Sequence, residues 1–226
     1  MRDANIRREQ VLARVRLGLG TYASEQRVDG VKKRIAAPPA PLVPERAQRD
    51  AAGQAALLKS YLEGQAATLI DVAAMGDVPA AVAGYLRQTN LPMRVRTGED
   101  SVLSGLDWSG VPTLERMTGR AIRSDEVGLS RATCAVAETG TLVLASGPDN
   151  PVTVTFLPET HIVVVEKGNV VGGFEGVWAR LRARFGRGGM SRTVNFVSGP
   201  SRTADIGGQL VMGAHGPRRL CVILVG

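Results

Sequence analysis

The sequence predicts an α/β protein, a largely parallel sheet with helices on both faces in a three-layer α/β/α sandwich. Three observations predict it. First, the runs HIVVVE at 161–166 and RLCVILV at 219–225 are apolar without alternation, which suits strands covered on both faces. Second, segments of helical period lie between such runs. In the clearest, 174–185, Phe174, Val177, Trp178, Leu181 and Phe185 share one side while Arg180, Arg182 and Arg184 mostly face water. Third, 226 residues with 44% hydrophobic and 22% charged side chains are enough to bury a large core without staples.

Taken in order, residues 5–19 read as a helix with Val11, Leu12, Val15 and Leu19 on one face, ended by Gly18 and Gly20. Residues 21–35 are charged and weakly patterned. Four prolines between Ala36 and Pro44 forbid a helix and favour an extended strap. The boundary between an N-terminal arm, 1–44, and an α/β body, 45–226, is placed there. Helix resumes over 45–63, with Leu57, Leu58, Tyr61 and Leu62 as its stripe. Residues 66–73 suit a strand. Residues 78–88 suit a helix opened by Asp77 as N-cap, with Pro79 close behind. A short strand is expected at 93–96, and 100–128 is mixed. Residues 133–137 and 140–146 read as strands split by Glu138 and Thr139. The Val/Thr alternation over 151–157 reads as a strand between prolines. Strands at 161–166 and 169–171 bracket a Lys167–Gly168 turn, and further strands are expected at 193–197 and 219–225.

Charge is uneven. Residues 1–59 hold twelve Lys/Arg against six Asp/Glu, +6, of a total of +7. A basic arm can meet an anionic partner. The nine aromatics of the chain, however, are not interleaved with the arginines of this arm as single-strand stacking requires, so no nucleic acid is expected. The arm is also a candidate for self-association into a homo-oligomer. No stretch approaches the ~18 apolar residues of a membrane span, and the Arg-rich first twenty residues hold no signal-peptide core. The expected address is the cytoplasm. Cys134 and Cys221 sit in apolar runs, and His161 and His215 are the only histidines. These are too few ligands for a metal centre or an iron–sulfur cluster on this chain. Gly18–Ala23 matches G-x-G-x-x-A but follows a helix rather than a strand, so it is read as helix termination.

Three segments crowd polar groups onto glycines at strand ends. Glu138, Thr139, Gly140 and Thr141 lie between two apolar strands, where a carboxylate must be hydrogen-bonded or paired. Ser198, Gly199, Ser201, Arg202, Thr203 and Asp205 follow a strand, and hydroxyls, a guanidinium and backbone N–H groups around a glycine make an anion cradle. His215 and Arg218 precede the last strand, and His161, at the start of a strand after Pro158, is a fourth candidate. Strand ends of one sense share one edge of a parallel sheet, so these segments are expected to converge on one pocket. Glu138 and His215 are its candidate catalytic groups. The hydroxyls, the glycines, Asp205, Arg202 and Arg218 are its candidate contacts to a small carboxylate or phosphate. Each also has a purely structural reading: Glu138 tying backbone amides, Asp205 pairing with Arg202 or capping a helix, His215 satisfied in place.

The strings AETGTLVL at 137–144, LPETHIVVVE at 157–166, SGPSRTADI at 198–206 and GAHGPRRL at 213–220 resemble the LUD-domain family, in its LutC-type lactate utilization branch. The resemblance covers roughly 45–226 and includes the helical start. It implies a NagB/RpiA/CoA-transferase-like fold. It also implies work beside partner proteins that carry iron–sulfur clusters and oxidise L-lactate to pyruvate, this chain carrying none. The family commonly continues Ala204-Asp205-Ile206 with a Glu, where this chain has Gly207. The alternative is a stand-alone enzyme of the same fold acting on a phosphorylated or acyl-thioester ligand. Glu138 would then be base or nucleophile, with Arg202 and Arg218 holding the anion. A nucleic-acid-binding or regulatory module, resting only on the basic arm, is a third reading.

Overall fold

The computed structural model describes residues 2–19, 25–37, 40, 42–186, 188–206 and 209–226, with the side chains of 2–4, 19, 25–26, 204–206 and 209–210 outside the description. The chain divides into two compact units, Met1–Leu42 and Val43–Gly226. The first holds helices α1 (Arg2–Leu19) and α2 (Glu25–Ala36). The second helix falls in the stretch expected to be weakly patterned. Val28, Val31 and Ile35 recur there at helical spacing around Gly30, and Asp29 pairs with Lys33 one turn on at 3.4 Å.

The second unit opens with a short 3₁₀ turn, Glu45–Ala47, and helix α3 (Ala51–Gly64). The expected single helix over 45–63 is broken because Asp50 caps α3, its carboxylate accepting from Gly53 N at 2.8 Å. A six-stranded parallel sheet follows. Its strands are β1 (Thr68–Val72), β2 (Arg94–Thr97), β3 (Glu115–Thr118), β4 (Val127–Arg131), β7 (Thr160–Glu166) and β12 (Arg219–Val225), in the order β1-β12-β7-β4-β2-β3. The central strands explain their unbroken apolar composition. Ile162, Val164, Cys221 and Ile223 pack against Val82 and Leu86 of helix α4 (Val78–Gln88) on one face. Val163, Val165, Val222 and Leu224 pack against Leu58 and Leu62 of α3 on the other. Each such side chain contributes roughly 1.5–3 kcal/mol on leaving water. Helices on both faces of the parallel sheet make the α/β/α arrangement.

A second sheet shares the α3 face. Strands β5 (Cys134–Val136), β6 (Thr141–Ala145), β8 (Val170–Val171) and β9 (Val194–Val197) run in the order β8-β5-β6-β9. The β5–β6 pair is antiparallel, turning through Gly140 at φ +63°. A hairpin cannot sit inside an all-parallel sheet, so these strands form their own. One of its faces joins the α3 core. The other packs Val136, Val143 and Ala145 on Val177 and Leu181 of helix α7 (Phe174–Phe185).

Local expectations are corrected at several places. Residues Val152–Phe156 form helix α6, not a strand. Prolines at 151 and 158 isolate the segment from any ladder, and α6 packs so tightly on β4 that a Cβ at Gly128 would lie 2.3 Å from the Val154 carbonyl oxygen. Asp77 stands at the N-cap position of α4 as expected, but its carboxylate makes no capping bond to the helix and instead accepts from Ala74 N at 2.9 Å. The mixed stretch 100–128 supplies the short helix α5 (Ser101–Ser104), β3 and the start of β4. Strands β10 (Arg202–Ile206) and β11 (Gln209–Met212) pair antiparallel, so the expected loop 198–205 is half strand.

Among the described residues, every side chain in the three apolar clusters lies at or beyond Leu57. A chain starting at Glu45 is therefore expected to unfold in one cooperative transition in urea. Loss of that transition would make the arm part of the core. A fall in the number of chains per particle by light scattering would assign self-association to the arm.

Candidate functional site

A cavity of about 230 Å³ opens at the amino ends of β7 and β12. Two walls come from the parallel sheet, where His161 and Leu220 are register partners. A third is Thr155 and Phe156 of α6. The remaining walls are Val197 at the end of β9, the segment Ser198–Arg202, and His215–Pro217. Both imidazoles of the chain therefore line one cavity.

Backbone bonds lace its rim. Ser201 N donates to Pro217 O at 2.8 Å, Gly213 N to Ser201 O at 2.9 Å, and His215 N to Ser201 Oγ at 3.3 Å. Gly199 has φ +126°, and a Cβ there would stand 2.8 Å from Gln65 Cβ, so the turn into the cavity requires glycine. Arg202 is steadied by donation to Gln65 O. A chain of hydroxyls reaches the rim from behind, with Thr139 Oγ1 2.7 Å from Thr141 Oγ1, and Thr141 Oγ1 2.7 Å from Ser198 Oγ.

His161 is 1% exposed. Its Nε2 lies 3.0 Å from Ser130 Oγ, while Nδ1 has no hydrogen-bond partner among the described residues. The Thr155 hydroxyl is likewise buried and unpartnered. Burial pushes the His161 imidazole down to about 3. It is thus a neutral hydrogen-bonding group rather than a cation. Arg202 supplies the fixed positive charge and the hydroxyls of Ser198 and Ser201 supply donors. The arrangement can hold a small anion at the rim and hydrogen-bond its polar end at His161 and Thr155.

Of the residues expected to meet, Ser198, Gly199, Ser201, Arg202 and His215 line this cavity, and Thr139 and Thr141 reach it through Ser198. Gly140 is packed under Tyr61, where a Cβ would lie 2.5 Å from Tyr61 Cβ. Thr203 lies in β10 opposite Val211. Asp205 is in β10, its side chain outside the described residues. Glu138 and Arg218 do not line the cavity. Glu138 is buried at the same end of the second sheet, its carboxylate 3.6 Å from Arg46 Nε and its amide bonded to Gly172 O. Arg218 is exposed and paired with Glu159 at 2.8 Å. His161, the fourth candidate, also lines the cavity, and the polar residue absent from the expected set is Thr155. His161 was visible as an imidazole opening an otherwise apolar strand after Pro158. Thr155 was hidden by the strand reading of α6.

The cysteines are buried free thiols. Burial pushes Cys134 up to about 11, against a lowering influence of Arg180, and Cys221 up to about 12. Neither is a ready thiolate. Among the described residues no three His, Cys, Asp or Glu side chains are grouped to hold a metal ion, and no helix is long and apolar enough to cross a membrane.

The His161 environment carries a pH prediction. The folded chain keeps this imidazole neutral down to about pH 3, whereas the unfolded chain protonates it near 6.5. Between those values the unfolded state binds more protons. The contribution is complete above about pH 6.5 and declines as pH falls, approaching about 1.4 kcal/mol per pH unit. Urea titrations from pH 7 to 4.5 should show this slope, and His161→Gln should flatten it. An unchanged slope in the variant would refute the assignment.

The fold and site together define the class: an α/β/α protein whose core carries a small polar cavity lined by a guanidinium and two imidazoles. Residues 63–225 match the LUD domain, and the chain belongs to the LUD-domain family. It is 38% identical over 112 residues to lactate utilization protein C of Halalkalibacterium halodurans, covering 49% of this chain and 48% of that one. It is 36% identical over 115 residues to lactate utilization protein C of Geobacillus kaustophilus, covering 50% and 48%. The matched region is about half the length of these relatives. The crystal structure of a DUF162 family protein from Deinococcus radiodurans superposes with a TM-score of 0.58 at 24% identity, covering 79% of this chain and 99% of that one, and shares its fold.

Proposed function

We propose that this chain acts in lactate utilization as a cluster-free subunit of an iron–sulfur system that oxidises L-lactate to pyruvate, and that its cavity takes the small organic acid. The observation that carries the reading is the gathering of Arg202, Ser198, Ser201 and both imidazoles on a cavity of about 230 Å³, sized for a ligand of few atoms. Two relatives named lactate utilization protein C support the pathway. The carboxylate of lactate would be met by Arg202 and the serine hydroxyls, and its 2-hydroxyl by the unpartnered His161 Nδ1 and Thr155 hydroxyl. Oxidation breaks the C2–H and O–H bonds, forms the carbonyl and releases two protons. The two electrons pass to clusters on partner proteins. The test is calorimetric titration of L-lactate and pyruvate into the chain, together with lactate-dependent dye reduction by its neighbouring gene products with and without it. Saturable binding lost in Arg202→Gln, and dye reduction that needs the chain, are expected. Absence of both overturns the reading.

Anaerobically purified chain is expected to contain no stoichiometric iron or sulfide, because its two thiols are separately buried. Cluster-level iron and sulfide by chemical assay would overturn that part of the proposal.

A further inference from the structure

A second cavity, about 430 Å³, lies at the opposite edge of the parallel sheet. Arg131, the last residue of β4, and Asp100, just beyond β2, form one wall. Ligands of open α/β sheets gather outside these carboxyl ends. Asp149 and Asn150 form a second wall. Arg180 and Arg184, one turn apart on α7, form the third. The volume falls in the range of small-molecule sites.

The charges around it do not cancel group by group. Arg131 is held by Asp100 at 3.0 Å and reached by Glu166 at 3.4 Å. Arg184 is held by Asp149 at 2.5 Å. Arg180 meets only neutral acceptors, Asn169 Oδ1 and Gly168 O, each at 2.8 Å, and no carboxylate among the described residues is within ion-pair distance of it. Asn150 is 5% exposed. Its Nδ2 donates to Ala145 O at 3.4 Å, and only the nitrogen can make that bond, so the amide orientation is determined. Its Oδ1 is buried with no partner among the described residues. One half-buried guanidinium without a counter-charge thus shares a cavity with an orphaned acceptor.

We propose that this cavity is a second ligand site, for a hydroxylated organic monoanion whose carboxylate sits on Arg180 and whose hydroxyl donates to Asn150 Oδ1. A single negative charge suits it because the other two arginines already have carboxylate partners. The hydroxyl is required because an anion alone leaves Asn150 Oδ1 unsatisfied. The site is independent of the lactate reading, which uses other residues at the other edge of the sheet.

The test is calorimetry on the full chain with D-gluconate as probe, against acetate and inorganic phosphate. Gluconate should bind more tightly than either. Arg180→Gln should weaken it at least about tenfold, the loss of one charge-assisted contact. Ala183→Glu, which sets a carboxylate on an exposed helix position at the cavity rim, should do the same and carries the test if Arg180→Gln fails to fold. Arg202→Gln, in the other cavity, should leave gluconate affinity unchanged. No gluconate binding, binding indifferent to both cavity variants, loss of binding in Arg202→Gln, or phosphate or acetate matching gluconate would each overturn the proposal.

Discussion

Arg96→Ala is expected to destabilise the chain by about 3–5 kcal/mol, seen as a lowered urea midpoint at pH 7. Arg96 and Asp125 are both buried, at 8% and 7% exposure, and joined by two bonds, Nε to Oδ2 at 2.8 Å and Nη2 to Oδ1 at 3.2 Å. Arg96 lies on β2, and Asp125 lies in the turn that delivers β4, whose Ile122 amide also donates to the carboxylate at 2.8 Å. Truncating the arginine leaves a buried carboxylate without its counter-charge, and that unpaired group, more than the lost attraction, sets the size of the effect. Burial alone would raise the Asp125 carboxyl, but the bonds from Arg96 and Ile122 and the charge of Arg96 hold it below the usual carboxylate value of 3.8. Its contribution is therefore present above about pH 4 and is lost as pH falls through the lowered folded value. The difference between variant and parent should then shrink as pH falls below about 4. A change under 1 kcal/mol at pH 7 would show that the pair is solvated and this edge of the sheet looser than described.

His215→Ala is expected to abolish complementation of growth on L-lactate while shifting stability by no more than about 0.5 kcal/mol. The side chain is exposed at the cavity rim, and the bond that anchors this position to Ser201 uses its backbone amide, which alanine retains. Loss of growth at unchanged stability would assign the imidazole to the ligand. Loss of growth with a large drop in melting temperature would instead make it a structural histidine. Arg202→Gln is the companion: it should fail on lactate through binding, since its guanidinium is the fixed charge lining this cavity.

Much of this arrangement is legible in the sequence because it is written at short range. The unbroken apolar runs that became β7 and β12, the 3.6-residue stripe of α7 and the glycine at the β5–β6 turn each follow from neighbours a few residues away. The same holds for the polar clusters at strand ends, which is why Ser198, Ser201, Arg202 and His215 were readable as one group before any contact was known. Tertiary structure decided the rest. Whether 152–156 is strand or helix depends on packing against Gly128, more than twenty residues upstream. Which strands join the parallel sheet and which form the second depends on pairings that carry no local mark. Glu138 was expected in the pocket from its place at a strand break, but it lies against Arg46, a partner ninety-two residues away. His161 stands out locally as an imidazole opening an apolar strand, but nothing nearby says what it faces. It becomes part of a site because Thr155, Ser198 and His215 are brought beside it from separate segments. Periodicity encodes which face of an element is buried; it does not encode which segment arrives to cover that face, and a cavity wall is made only when the segments meet.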